Sequence, residues 1–202
     1  RARQIDSRAI IGERADCIAV AFAGSDPALS KNLMTDVDFR LTPNDTHEGF
    51  QTAIDAAWPH IEMKITALVE ARARPIFFAG HSLGAALAVL AADKAKDGSL
   101  RLAGIYTFGM PRAGGRLFKT RYNRVLGDCT YRLVYGGDTV SCMPDSIKVL
   151  GIHTEFQHVG RLLTCKSGGK FDRATPLSEK KSNDPRFADG LRDNLRNTMR
   201  SL

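Results

Sequence analysis

Short apolar runs alternate along this chain with longer stretches of helical period. Two strand-like segments come first, at 7–13 and 17–22, joined by a tight charged turn. A short helix is expected over 28–34, and 36–41 reads as a strand or an extended loop. From 48 to 71 the apolar residues Phe50, Ile54, Ile61, Ile65 and Leu68 keep spacings of three or four, broken by one gap of seven. That period predicts a long helix, with Pro59 expected to kink or split it. A short apolar run at 75–79 predicts a strand, and the Ala- and Leu-rich 83–96 a helix closed by Asp97-Gly98. Strands at 102–108 and 130–135 flank a helix at 114–126, and each strand runs into a Gly-containing turn. Short strands are expected at 147–150 and 154–159. The polar stretch 164–185 reads as a surface loop. A last helix is expected over 185–199, where Phe187, Leu191, Leu195 and Met199 recur every four residues. No segment repeats.

Strands alternating with helices predict an α/β fold with helices packed on a central, mostly parallel sheet. The 202 residues suit one domain spanning 1–202. A 43% hydrophobic and 25% charged composition is that of a soluble globular chain. The longest apolar run, 83–92, is interrupted by Gly84 and falls short of the ~20 residues that span a bilayer, so it reads as a buried helix. The chain begins at Arg1 and shows no signal-peptide pattern. The net charge of +7 suits a solubilising surface or docking on an anionic lipid interface. No nucleic-acid motif accompanies it, and no basic cluster is interleaved with aromatics, so a nucleic-acid partner is not expected. Of the four cysteines, Cys17 opens an apolar run and reads as a buried thiol. Disulfides among Cys129, Cys142 and Cys165 stay open. The spacing fits no zinc site, and neither a metal nor a cofactor is expected.

The first candidate chemistry is Gly80-His81-Ser82-Leu83-Gly84, which fits G-x-S-x-G. The pentapeptide alone is weak, but an apolar strand is expected before it and a helix directly after. That setting predicts a nucleophile elbow with Ser82 at the end of a strand. The elbow needs small residues where helix and strand backbones meet, and Gly80, Gly84, Ala85 and Ala86 supply them. The N–H of Leu83, at the helix N-terminus, is the natural donor to a developing oxyanion.

A serine hydroxyl needs a base, and the base an orienting acid. In this kind of fold the chain order is Ser, then Asp or Glu, then His. Asp138 follows the strand 130–135 and is the expected acid, with Asp145 as fallback; Asp128 precedes the strand, at the wrong edge. His153 and His158 are the histidines after Ser82. Spacing leans towards His158 and leaves His153 open. A second oxyanion donor is expected from the turn after 17–22, where Ser25 in Phe22-Ala23-Gly24-Ser25 is the candidate.

Across 18–160 these residues resemble the class 3 (fungal-type) lipases of the α/β-hydrolase superfamily. Phe22-Ala23-Gly24-Ser25 resembles F-R-G-[ST], and Asn32 with Asp36 resembles N-W-x-x-D. His47-Glu48-Gly49-Phe50 resembles H-x-G-F, and the run 80–86 resembles G-H-S-L-G-G-A. Thr107-Phe108-Gly109-Met110-Pro111-Arg112 resembles T-F-G-x-P-R. Asp138-Thr139-Val140 with Pro144 resembles D-P-V-x-x-x-P, and His158-Val159-Gly160 resembles H-V-G. The resemblance implies an α/β-hydrolase fold with helices on both faces of the sheet. It implies a triad of Ser82, Asp138 and His158, with Ser25 and Leu83 as the oxyanion hole. The implied activity is hydrolysis of acylglycerol-type carboxylic esters through an acyl-enzyme, with a lipid ester as partner and a lean towards secretion. Feruloyl esterase or phospholipase A1 activity on the same scaffold, and an inactive lipid-binding domain, are the alternatives. The family's lid corresponds to 26–34, where the competing reading is a plain connecting helix. Ala23 stands where the family has Arg, Leu33 where it has Trp and Thr139 where it has Pro, and the tail after Gly160 does not match.

Overall fold

Ile18, Val20 and Phe22 are buried while Ala19 and Ala21 between them are exposed, the period-2 signature of a strand laid on a core. The computed structural model describes residues 8–24, 40–96, 98, 100–135, 138, 140–142, 147–149, 152–165 and 171–173. Among them one seven-stranded sheet dominates. Its strands are β1 (Ala9–Glu13), β2 (Ile18–Phe22), β3 (Ile76–His81), β4 (Leu102–Phe108), β6 (Thr130–Tyr135), β10 (Arg161–Cys165) and β11 (Phe171–Arg173), side by side in that order. The pairs from β2 to β10 are parallel, and the two edge strands run antiparallel. Two small ribbons stand apart from this sheet. One pairs β5 (Gly114–Gly115) with β9 (Phe156–Gln157), the other β7 (Ile147–Val149) with β8 (Ile152–Thr154).

Among the described residues three α-helices fill the connections: α1 (Glu48–Ala71), α2 (Leu83–Ala95) and α3 (Arg116–Leu126). All three pack on the sheet face carrying Val20, Phe78, Ile105 and Thr130, which are in register across four strands, so the helices expected on the other face are not among the described residues. Trp58 of α1 meets the Phe78 ring edge-on at 6.4 Å, and Tyr122 of α3 shares a buried hydroxyl bond of 2.9 Å with Thr130. α2 is buried along nearly its whole length, as the apolar run 83–92 with its single small Gly84 requires. Among the described residues no helix is long and apolar enough to cross a membrane.

Pro59 does not split α1, which continues for 24 residues as one element. Pro59 and Asp55, whose carbonyl loses its helical donor, both lie on the exposed side, so the freed carbonyl is not buried without a partner. Ile54, Trp58, Ile61 and Ile65 bury both halves on the same core. The polar stretch expected to be a loop from 164 onward instead contributes the end of β10 and all of β11. The apolar pair Leu162-Leu163 starts β10 just after Gly160, whose positive φ of 75° turns the chain into the sheet. Cys17 is half-buried rather than buried, and both it and Cys129 are free thiols. Burial pushes the Cys129 thiol up. The helices expected over 28–34 and 185–199 lie outside the described residues. Of the 36–41 segment, Leu41 is seen to bridge His47.

The loop before α1 also builds α3, something the sequence did not announce. α3 has no acidic residue in its first turn and no side-chain cap of its own. Asp45 supplies both from a distance. Its Oδ2 accepts from the N–H of Leu117 at 2.7 Å and of Phe118 at 3.1 Å, and its carbonyl accepts from Gly115 N–H at 2.8 Å. Asp45 holds a φ of 61°, which Asn tolerates as well as Asp. Replacing a capping Asp by Ala costs ~0.5–2 kcal/mol. We expect Asp45→Ala near the top of that range in urea unfolding, with Asp45→Asn recovering most of the loss. An Ala variant at wild-type stability would show that the cap contributes nothing.

Candidate active site

One residue makes the whole turn from β3 into α2. Ser82 sits there at φ 54°, ψ −125°, a conformation essentially reserved for glycine and worth ~1–3 kcal/mol of strain. Its N–H donates to the Phe108 carbonyl at 2.9 Å, and Ala85 N–H donates to the Ser82 carbonyl at 3.0 Å. The turn is therefore fixed both to the neighbouring strand and to its own helix. Close backbone approach explains the small residues around it. A Cβ on Gly84 would stand 2.2 Å from the Phe22 carbonyl oxygen, and one on Gly80 would stand 2.2 Å from that of Gly84.

Leu83 begins α2, so its N–H has no acceptor within its own helix and belongs to the positive end of the dipole. The chain leaving β2 runs against the elbow: a Cβ on Gly24 would lie 2.9 Å from the His81 carbonyl oxygen and 3.6 Å from Ser82 Cβ. Ser25, the expected second donor, lies outside the described residues.

Asp138 reaches the same edge of the sheet from two strands away. Phe108 at the end of β4 is in register with His81 on one side and Leu133 on the other, and β6 ends at Tyr135. Asp138 N–H donates to the Tyr135 carbonyl at 3.1 Å. The carboxylate is anchored by Val140 N–H donating to Oδ1 at 3.0 Å, an Asx-type turn. Its Oδ2 lies against Gly109, only 2.6 Å from where a Cβ would be, and His81 Nε2 is 3.7 Å from that same point. Gly109 has φ 54°, so both conformation and space demand glycine there.

His158 has its own local partner. Its Nε2–H donates to the carbonyl of Ser141 at 2.5 Å. A carbonyl only accepts, so this nitrogen carries the proton. Nδ1 is buried and has no hydrogen-bond partner. No hydrogen bond joins His158 to Ser82 or to Asp138. Burial pushes the imidazole well below its ordinary range, and the charges of Arg132, Arg112 and Lys119 push the same way. These surroundings favour the neutral ring, with one nitrogen on a backbone carbonyl and the other buried. Chain order ranks histidines by position, but ring direction is set locally. Here β9 pairs with β5, and Gly160 N–H donates to Asn123 Oδ1 at 2.8 Å, turning the ring towards the 140–142 turn. His153 lies on β8, and its side chain is outside the described residues.

Ser141 was not singled out by the sequence. Its hydroxyl donates to the Asp138 carbonyl at 2.7 Å, so it ties Asp138 to the turn whose Ser141 carbonyl His158 meets. A Ser three residues after an Asp that follows two glycines is a local turn signal.

The class 3 lipase family model matches residues 19–147. The chain is 31% identical over 147 residues to the secreted mono- and diacylglycerol lipase MDL3 of Malassezia globosa, covering 63% of this chain and 46% of that protein. It is 28% identical over 143 residues to the lipase ZK262.3 of Caenorhabditis elegans, covering 66% of this chain and 39% of that protein. The chain thus spans less than half the length of these two relatives. A crystal structure of the lipase of Rhizopus microsporus var. chinensis superposes with a TM-score of 0.70 at 23% identity, covering 82% of this chain and 60% of that one. That likeness shows the α/β-hydrolase fold. With the family model spanning 19–147, elbow included, the chain belongs to the class 3 lipases.

Proposed function

We propose that this chain, read as one catalytic domain, carries the nucleophile and the acid of an enzyme that hydrolyses acylglycerol-type esters. The observation that carries the reading is the strained Ser82 at the strand end, on the same sheet edge as Asp138. Ser82 Oγ attacks the ester carbonyl and passes its proton to a histidine oriented by Asp138. The oxyanion is met by Leu83 N–H and by a donor from Ser25. Collapse of that intermediate returns the proton to the leaving alcohol and leaves an acyl-serine, which water then hydrolyses by the reverse of these steps. The neutral, carbonyl-bound His158 is not the base in this arrangement.

The names of relatives such as MDL3 support a mono- or diacylglycerol as substrate, and secretion as the destination. The charge of +7 suits work at an anionic lipid surface. The test compares acylglycerols of rising chain length with phospholipid, feruloyl and acetyl esters. Mono- and diacylglycerols are expected to give the highest kcat/KM. A clear preference for feruloyl, phospholipid or acetate esters would overturn the substrate class and leave the serine mechanism standing.

A further inference from the structure

We propose that His158 is a positioning residue that holds the turn carrying Asp138, acting on catalysis through the acid rather than on the substrate. The inference rests on the reading of Asp138 as the acid.

Three bonds form a continuous chain. His158 Nε2–H donates to the Ser141 carbonyl, the Ser141 hydroxyl donates to the Asp138 carbonyl, and Val140 N–H donates to the Asp138 carboxylate. The whole of the short helical turn Val140–Cys142 is thereby strung between the ring and the acid. Both ends of that string are anchored. The Asp138 carboxylate lies against Gly109, in space that a side chain there would fill. His158 follows β9 and precedes Val159, which is buried in the core, and Gly160, which is bonded to Asn123 of α3. The ribbon β5–β9 and α3, which hold the ring's end, are packed.

The chemistry of the ring fits this task and no other. A base must offer a nitrogen lone pair to the serine and an N–H to the acid. In His158 the N–H is committed to a carbonyl, and the lone pair is buried at Nδ1. An imidazolium would place a second N–H in that dry space without an acceptor, close to three cationic side chains. The site therefore keeps one tautomer and one orientation, which a structural donor needs and a proton shuttle cannot use.

Gln sets its amide nitrogen near the position of histidine Nε2, so His158→Gln preserves the bond to Ser141. His158→Phe keeps the ring's volume and removes the donor. Steady-state kinetics of both, with a pH profile of kcat/KM, test the proposal. His158→Gln is expected within about 3-fold of wild type. His158→Phe is expected to lose ~10–100-fold in kcat with KM changed less than about 3-fold, since small misplacements of catalytic groups cost up to ~100-fold. Its acidic limb moves to lower pH, because a displaced Asp138 stabilises the cationic base less. Should the Phe variant not fold, His158→Asn, whose amide is too short to reach Ser141, takes its place in the comparison. Gln as inactive as Phe, both down by ~10⁴-fold or more, would make His158 the base and end the proposal. A Phe variant with wild-type kcat would end it as well. If Asp138→Asn retained full activity while His158→Phe lost it, the acid assignment would be the part that failed.

Discussion

Ser82→Ala is expected to abolish ester hydrolysis and fluorophosphonate labelling while leaving the melting temperature where it was. Loss of the serine nucleophile in such a mechanism lowers kcat by ~10⁶-fold, and what remains comes from the oxyanion hole and binding. Stability is predicted separately, because the backbone strain belongs to the position and not to the hydroxyl. Ala carries a Cβ just as Ser does, so it inherits φ 54°, ψ −125° unrelieved. Ser82→Gly is therefore the informative partner. It removes strain of ~1–3 kcal/mol and adds unfolded-state freedom worth ~0.5–1 kcal/mol, so it gains about 1 kcal/mol in urea unfolding. Both variants should be inactive, and only Gly should be stabilised. An Ala variant that still labels would remove Ser82 from the chemistry. A Gly variant less stable than wild type would show that the elbow is held without strain.

That strain is also why the elbow is legible in the sequence. The constraint is local: an apolar strand, a one-residue turn and a helix, with glycine at 80 and 84 where backbones pass within contact. All of these are written in one continuous stretch, 76–95. The position of Asp138 was readable for a similar reason, since a strand that ends in Gly-Gly-Asp must deliver the Asp to the sheet edge. The edge strands were harder. β10 starts from two leucines beyond a glycine, and β11 from a polar run that pairs along one side only, so neither carries a full alternating pattern. Pro59 misled because helix rules describe the backbone alone. The packing of Trp58 and Ile61 around it decided the outcome.

The histidine was the least readable element, and for a definable reason. Motif order specifies which residue comes after which strand, but a ring's function depends on where its two nitrogens point. That is fixed by contacts between segments distant in sequence, here 158 with 141 and 160 with 123. Asp45 belongs to the same class, since it caps a helix that starts about 70 residues further on. Local signals mark Ser82 and Asp138 as candidates. Non-local ones determine what holds them.

Asp138→Asn is the second large effect and the one that separates charge from architecture. The Asn amide oxygen still accepts from Val140 N–H, and the backbone carbonyl still receives the Ser141 hydroxyl. The turn should therefore survive, and the melting temperature should move by no more than a surface change would. What is lost is the negative charge that orients a histidine in the right tautomer and stabilises its cation. In a serine triad that substitution lowers kcat by ~10⁴-fold with the geometry kept. We expect a loss of ~10³–10⁴-fold in kcat, little change in KM, and correspondingly slow fluorophosphonate labelling of Ser82. Asp145→Asn, the competing acid by sequence, should retain the wild-type rate. An Asp138→Asn variant within about 10-fold of wild type, or an Asp145→Asn variant that collapses instead, would move the acid away from the Gly109 edge. The carboxylate resting on Gly109 would then be a structural contact, and the second strand end would no longer be part of the active site.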